Sequence, residues 1–256
     1  MRTGMYGAER QQAILTTARS EGRVEVTSLA TLLGVTPETV RRDLSALERQ
    51  GLLRRVHGGA IPVERLDFEP GLAQRDVTHA AEKDRIAKAA LDLVPDRGSV
   101  LLDAGTTTAR LARLLGDREL DVVTNAVPLA SLLATAPGIT VHLLGGRVRG
   151  TTLATVDSWA LQSLADVHVD VSFLGANGFS VDRGLTTPDR AEAAVKRAML
   201  HAGRQRVVLA DAGKHGADQF ARFAGLAEID VLVTDARLAA GDVRALEAAG
   251  PEVVLA

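Results

Sequence analysis

A chain of 256 residues that is 46% hydrophobic and 24% charged can bury a substantial core, and its length suits one large domain or two unequal ones. The absence of cysteine excludes disulfides, thiolate metal sites and cysteine nucleophiles. The formal net charge of −2 conceals an asymmetry: residues 1–62 carry +3 and residues 63–256 carry −5, the balance expected of a basic DNA-binding head on a larger acidic body.

In chain order, Ala8 to Arg19 reads as a first helix with Ala13, Ile14, Leu15 and Ala18 on its apolar face, ended by Gly22. Arg23 to Val26 is a short extended piece. Thr27 or Ser28 can cap a second helix that ends at Leu33, and Gly34-Val35 is a tight turn. Thr36 then opens a third helix, with Pro37 at the first helical position, where its missing N–H costs nothing. Val40, Leu44 and Leu47 form one apolar stripe, and Gly51 supplies the stop. Thr36, Glu38, Thr39, Arg41, Arg42 and Arg49 lie off that stripe. Such a helix is either an ordinary amphipathic surface helix or one that enters a DNA major groove. Its neighbours favour the groove: the preceding helix and turn make a helix-turn-helix, and Leu52 to Val56, His57-Gly58-Gly59 and Ala60-Ile61 read as a β-hairpin wing. Arg54, Arg55 and His57 are expected at the wing tip, against phosphates.

These residues carry a resemblance. Arg10 to Leu15, Leu33-Gly34-Val35, the run Thr39-Val40-Arg41-Arg42-Asp43-Leu44 and Arg55-Val56-His57-Gly58-Gly59-Ala60 look like the N-terminal domain of DeoR-family transcriptional regulators. The resemblance implies a winged helix-turn-helix over residues 1–62 and a double-stranded DNA operator as partner.

Residues 63–77 contain Pro70 and no clear period and read as a linker to a second domain, 78–256. Thr78 to Val94 is an expected helix with Ile86, Ala89, Ala90 and Leu93 inward and Thr78 as its cap. From Ser99 onward, short apolar runs alternate with helical ones: Val100 to Leu102, Val122-Val123, Val141 to Leu144, Val169 to Leu174, Val207 to Ala210 and Val231 to Val233. Runs without polar alternation suit strands covered on both faces, so an α/β domain with a largely parallel sheet is expected. Ligands of such sheets bind beyond the carboxyl ends of the strands.

The segments at those ends are polar or glycine-rich. Asp103-Ala104-Gly105-Thr106-Thr107-Thr108 follows the first strand and leads into a helix expected from Thr108 to Leu115. Its N–H groups either form an anion seat or make an ordinary strand-to-helix turn with threonine caps. Being neither a Walker loop nor a GxGxxG turn, it suits a monophosphate rather than a nucleotide. Thr124-Asn125, Gly145-Gly146, Gly175 to Gly178 and Asp211 to Lys214 follow later strands. Lys214 is the natural phosphate countercharge, or a solvated surface lysine, and Asp103 a partner for sugar hydroxyls.

The same segments, with Glu82-Lys83, Gly184-Leu185-Thr186, Glu192-Ala193 and Lys196, resemble the DeoR-family effector domain. The expected fold is Rossmann-like, similar to ribose-5-phosphate isomerase and CoA-transferase domains. The resemblance implies a phosphorylated sugar effector at Asp103, Gly105, Thr106, Thr107, Thr108, Thr124, Asn125, Gly145, Gly146, Gly175, Asn177, Glu192, Lys196 and Lys214. The sequence departs from the family at Ala126 and Gly213, where a hydroxyl residue is usual, and near Asp157, where a glycine is. Residues 151–159 are the least familiar, and Trp159 is assigned to a subunit contact.

Two other functions are open to such a chain. A sugar-phosphate isomerase-like enzyme with a DNA-binding head would need a carboxylate base and a cation, but GANGFSVDRGLTTPDRAE (175–192) lacks the isomerase's acidic loop, so no catalytic residue is assigned. A purely architectural DNA protein would leave the strand-end loops without a role. The six histidines show no ligand spacing, so neither metal nor cofactor is expected. No run approaches the ~18 apolar residues of a membrane span, and the N-terminus lacks a signal-peptide core. A cytoplasmic homodimer or homotetramer with no membrane partner is therefore expected.

Overall fold

The computed structural model describes residues 6–256 apart from 22, 57, 63–68 and 117, and the backbone alone at 19, 20 and 61. Two compact units divide the chain, Met1–Phe68 and Glu69–Ala256.

In the first unit, α1 (Gly7–Glu21), β1 (Val24–Glu25), α2 (Val26–Leu33) and α3 (Pro37–Arg49) precede the wing strands β2 (Leu53–Val56) and β3 (Gly59–Pro62). The third helix starts where the local chemistry dictates: the Thr36 hydroxyl accepts the Thr39 N–H at 3.2 Å, with Pro37 in the first turn. Gly51 follows the helix with φ +72°, a left-handed conformation that favours glycine. The second helix needs neither expected cap. It starts at Val26 straight from β1, with Glu25 at its N-terminal boundary and no side-chain cap. Val26 N–H is instead satisfied by Gly58 O of the wing turn, at 2.9 Å. The three strands form an antiparallel sheet in the order β1-β3-β2. Ile14, Leu29, Val40, Leu44, Leu47, Leu53 and Ala60 close the core beneath it. Gly22, expected to end the first helix, lies outside the described residues, as does His57.

The second unit begins earlier than a linker over 63–77 would allow. Residues 63–68 are outside the described residues, but Glu69 belongs to this unit and α4 (Leu72–Val77) is helical. Arg110 holds it, donating to the Asp76 carbonyl at 2.9 Å and to Asp84 Oδ1 at 2.8 Å. The expected helix from Thr78 to Val94 is shorter, α5 (Ala80–Leu91), because His79 takes φ +53° at its start. Thr78 does not cap it; its hydroxyl donates back to Gln74 O at 2.9 Å.

Thereafter come β4 (Arg97–Leu102), α6 (Thr106–Arg113), β5 (Glu119–Thr124), α7 (Val127–Leu133), β6 (Ile139–Leu143), β7 (Arg147–Arg149), β8 (Ala154–Val156), α8 (Ser158–Leu164) and β9 (Val169–Gly175). β10 (Gly178–Ser180), β11 (Gly184–Thr187), α9 (Arg190–Ala202), β12 (Gly203–Leu209), β13 (Ala221–Ala224), β14 (Val231–Thr234), α10 (Ala240–Ala248) and β15 (Glu252–Leu255) complete the chain. The main sheet is seven-stranded and parallel, in the order β15-β14-β12-β9-β4-β5-β6. Alternate residues of its strands serve opposite cores. Leu101, Val123, Leu174, Val208 and Leu232 pack against α8, α9 and α10. Leu102, Val122, Phe173, Val207 and Val233 pack against α5, α6 and α7. Burial on both faces explains the unbroken apolar runs.

Six main-sheet strands correspond to the expected apolar runs. β15 does not, since at the sheet edge it is only half-buried at its best positions. The small sheets β7-β8 and β10-β11-β13 were also unanticipated; they consist of three- and four-residue strands rich in polar residues.

The strand order reverses at β4. The chain runs outward through β5 and β6, then returns to the other side of β4 as β9. The crevice outside the carboxyl ends of β4 and β9 is therefore a topological switch point.

Candidate nucleic-acid interface and anion pocket

In the first unit, the buried residues of α3 are Val40, Asp43, Leu44 and Leu47. At 100° per residue, Glu38, Arg41, Arg42, Ser45 and Arg49 fall on the opposite side. Glu38, Arg41, Arg42 and Arg49 are exposed there, as is the capping Thr36, while Thr39 is half-buried beside them. Arg41 pairs with Glu38 at 3.3 Å, and Arg55 reaches Ser45 Oγ at 3.0 Å, so the wing lends a guanidinium to the helix face. Arg54 and Arg55 lie along β2, opposite Ile61 and Ala60, rather than at the wing tip. A part-buried ion pair lies behind this face, and no local sequence pattern announces it. Arg10 Nε contacts Asp43 Oδ2 at 2.5 Å and Nη2 reaches Oδ1 at 3.2 Å, fixing α3 on α1.

In the second unit, the switch point gathers groups from distant parts of the chain. Gly105 turns the backbone after β4 into α6, and the first-turn N–H groups of Thr106, Thr107 and Thr108 have no carbonyl one turn back. Thr106, Thr107 and Thr108 line a small pocket with Gly175 of β9, Asp211 after β12 and three basic residues, Arg75, Lys83 and Lys214. N–H groups at a helix N-terminus beside three basic residues are the chemistry of a candidate anion seat. Lys83 is buried and donates to the Arg75 carbonyl. Burial holds its ammonium down, to about 8; Lys214, Arg110 and Arg75 add to this, and Asp211 only partly offsets it. The turn carrying Lys214, a single 3-10 turn over Ala212–Lys214, is anchored by Asp235, which accepts Ala212 N–H at 2.8 Å. Burial would raise the Asp235 carboxyl, but Arg237 and the backbone N–H donors outweigh it and hold it at about 2.

Beneath the pocket, Lys196 contacts Asp103 and donates to Gly175 O at 3.0 Å, while Gly175 N–H donates to the same Asp103 oxygen at 3.1 Å. This triangle clamps β4 to β9. To one side, Glu69 accepts from Arg75 at 2.7 Å, from Asn177 Nδ2 at 3.2 Å and from Arg149. Arg149 also reaches Glu192 Oε1 at 3.2 Å, and the hydroxyls of Thr152 and Thr187 donate to that same carboxylate. Burial pushes the Glu192 carboxyl up and Glu69 adds to it, against Lys196, Thr152 and Arg149.

Residues 10–65 match the DeoR-like helix-turn-helix domain and residues 78–236 the DeoR C terminal sensor domain. The chain belongs to the DeoR family of transcriptional regulators. The HTH-type transcriptional regulator GlpR of Haloferax volcanii is 38% identical over 252 residues, spanning 98% of each chain. The HTH-type transcriptional repressor GlcR of Bacillus subtilis is 36% identical over 231 residues, 90% of this chain and 89% of that protein. Among solved structures, ribose 5-phosphate isomerase A of Methanocaldococcus jannaschii is similar over 54% of this chain and 55% of that one, at 19% identity and a TM-score of 0.40.

The effector residues expected from the DeoR resemblance separate into groups. Gly105, Thr106, Thr107, Thr108, Gly175 and Lys214 line the anion pocket. Asp103 and Lys196 are spent largely on each other below it. Thr124 and Asn125 turn inward. Thr124 Oγ1 donates to Leu102 O at 2.6 Å, and Asn125 Oδ1 accepts Ala104 N–H at 3.1 Å, so they shape the loop before Gly105. Asn177 and Glu192 join the Glu69–Arg149 cluster. Gly145 and Gly146 do not reach the pocket; Gly146 lies against Val156, at φ +143°.

Arg75 and Lys83 were missed as pocket cations. Arg75 falls in the stretch expected to be linker, and Lys83 enters the sequence reading through the resemblance to the effector domain. At Gly213 a Cβ would come within 2.9 Å of Asp211 Oδ1 and 3.0 Å of His79 Nε2, which accounts for a glycine there. Asp157 takes φ +75°, ψ −167°, backbone that favours the glycine usual nearby.

Proposed function

We propose that this regulator is a repressor of a carbohydrate-metabolism operon, working in the cytoplasm, whose DNA affinity is set by a phosphorylated sugar or related metabolite. The observation that carries the effector reading is the anion pocket at the switch point. The N-terminus of α6 meets Lys83, Lys214 and Arg75 there, matching a compact dianion better than a neutral ligand. On the DNA side, Arg41, Arg42 and Arg49 with Thr36, Glu38 and Thr39 form the major-groove face, and Arg54 and Arg55 contact phosphates. Two heads of a homodimer, or four of a homotetramer, would then engage half-sites one or more helical turns apart, roughly 34–36 Å per turn. Trp159, 69% exposed, suits a subunit contact.

Ligand can shift the regulator only through different affinities for its DNA-bound and released states. Arg75 offers the means, because it lines the pocket and its guanidinium pairs with Glu69, the first residue of the second unit. An anion that recruits Arg75 competes with Glu69.

The test is fluorescence anisotropy of the full chain on an operator selected from a random DNA library. Arg41→Ala should weaken binding by about 1–3 kcal/mol if it reads a base. Lys214→Ala should leave DNA affinity intact and abolish the response to phosphorylated sugars. Unchanged binding by Arg41→Ala removes it from the recognition face, and equal loss of both properties in Lys214→Ala makes that lysine structural.

A further inference from the structure

Beside the anion pocket lies a second cavity of about 240 Å³. Gly105 and Thr106 line both, so one molecule can occupy the two together. Its remaining walls differ sharply in chemistry from the first. Leu72 of α4, Ala109 of α6, and Ala126, Pro128 and Leu129 around the start of α7 face it, without a hydrogen-bonding side chain among them. The polar groups that do line it are mostly engaged. Thr152 donates its hydroxyl to Glu192, Asp76 is ion-paired with Arg110, and the Thr106 carbonyl takes Arg110 Nη1 at 3.0 Å. Arg113 is exposed to solvent.

We propose that this chamber holds the carbon body of the effector while its phosphate sits in the anion pocket, so that the ligand is a phosphate monoester poor in hydroxyls. A deoxygenated or alkyl body fits, and a fully hydroxylated sugar does not. The inference rests on the reading of the Gly105–Thr108 and Lys214 pocket as an anion seat. A sugar hydroxyl turned towards Leu72, Ala109, Ala126 or Leu129 would give up water without gaining a partner, whereas methylenes gain by the same transfer. An apolar cavity of roughly 150 Å³ is enough to take up a ring of six carbons, so the space suffices for a four- to six-carbon body.

The experiment is calorimetric titration of the full chain with four probes: inorganic phosphate, monobutyl phosphate, 2-deoxyribose 5-phosphate and ribose 5-phosphate. Monobutyl phosphate should bind at least tenfold more tightly than inorganic phosphate, and the deoxy sugar phosphate more tightly than its hydroxylated counterpart. Ala109→Leu, which fills the chamber from a half-buried position, should return monobutyl phosphate to the affinity of inorganic phosphate and leave the latter unchanged. Ala73→Leu, from the exposed side of α4, provides the same filling should Ala109→Leu fail to fold. Ribose 5-phosphate binding more tightly than both other esters would overturn the proposal, as would fillings that leave monobutyl phosphate unaffected. If a folded chain binds none of the four, the anion-seat reading itself fails and takes the proposal with it.

Discussion

Lys196→Met tests whether the clamp under the anion pocket is what holds β4 to β9. The Lys196 and Asp103 side chains are 6% and 2% exposed, so removing the ammonium leaves a carboxylate that water cannot reach. Asp103 keeps the Gly175 N–H, and methionine fills much of the lysine stem's volume, so the cost is chiefly that of an uncompensated buried charge. Breaking such a pair costs about 3–5 kcal/mol. With a urea m-value of about 2–3 kcal/mol per molar for a unit of this size, the midpoint should fall by about 1–2.5 M. Trp159 is the sole tryptophan and belongs to the second unit, so its fluorescence follows that unit specifically. The double variant Asp103→Asn with Lys196→Met removes both charges and should recover at least half of the loss. A midpoint shift below about 0.3 M, or a double variant as unstable as the two single effects combined, would refute the clamp.

Three further outcomes follow from particular groups. Lys83 titrates at about 8 in the folded chain against an ordinary 10.5. Between those values the folded chain has released a proton that the unfolded chain still holds, so stability should rise with pH while affinity for inorganic phosphate falls. Lys83→Met should flatten both slopes in melts and calorimetry at pH 7 to 10, and persistence of the slopes would assign them elsewhere. In the wing, a Cβ at Gly59 would stand 1.9 Å from Val24 O, so Gly59→Ala should break the β1–β3 pairing and abolish operator binding in a gel shift. Phosphate affinity should survive, and retained operator binding would show that the wing can relax. Glu69→Gln should release Arg75 and Arg149 towards the anion and tighten phosphate binding by about fivefold, the low end of ordinary coupling. Unaltered affinity would uncouple Glu69 from the pocket.

Local chemistry made most of the DNA-binding head legible, although the start of the second helix and the Arg10–Asp43 pair depend on longer-range contacts. The Thr36 cap, Pro37, the stripe Val40–Leu44–Leu47 and the glycines around the wing act over a few residues, so helix, turn and hairpin were legible in order. Doubly covered strands were legible for a related reason, since burial on both faces demands apolar residues at every position. Tertiary structure decided which strand ends meet. Lys196 reaches Asp103 from 93 residues away, and Glu69 meets Asn177 across 108, because β9 returns to pair beside β4; no period or motif encodes that return. The same long-range pairing turned Thr124 and Asn125 inward to brace a loop and left Gly145 and Gly146 outside the pocket. It also drew Arg75, in a stretch whose sequence reads as linker, to the wall of the pocket beside Lys83 and Lys214. Side-chain type sets what a residue can do, but strand order sets what it faces, and the site at the switch point depends on both.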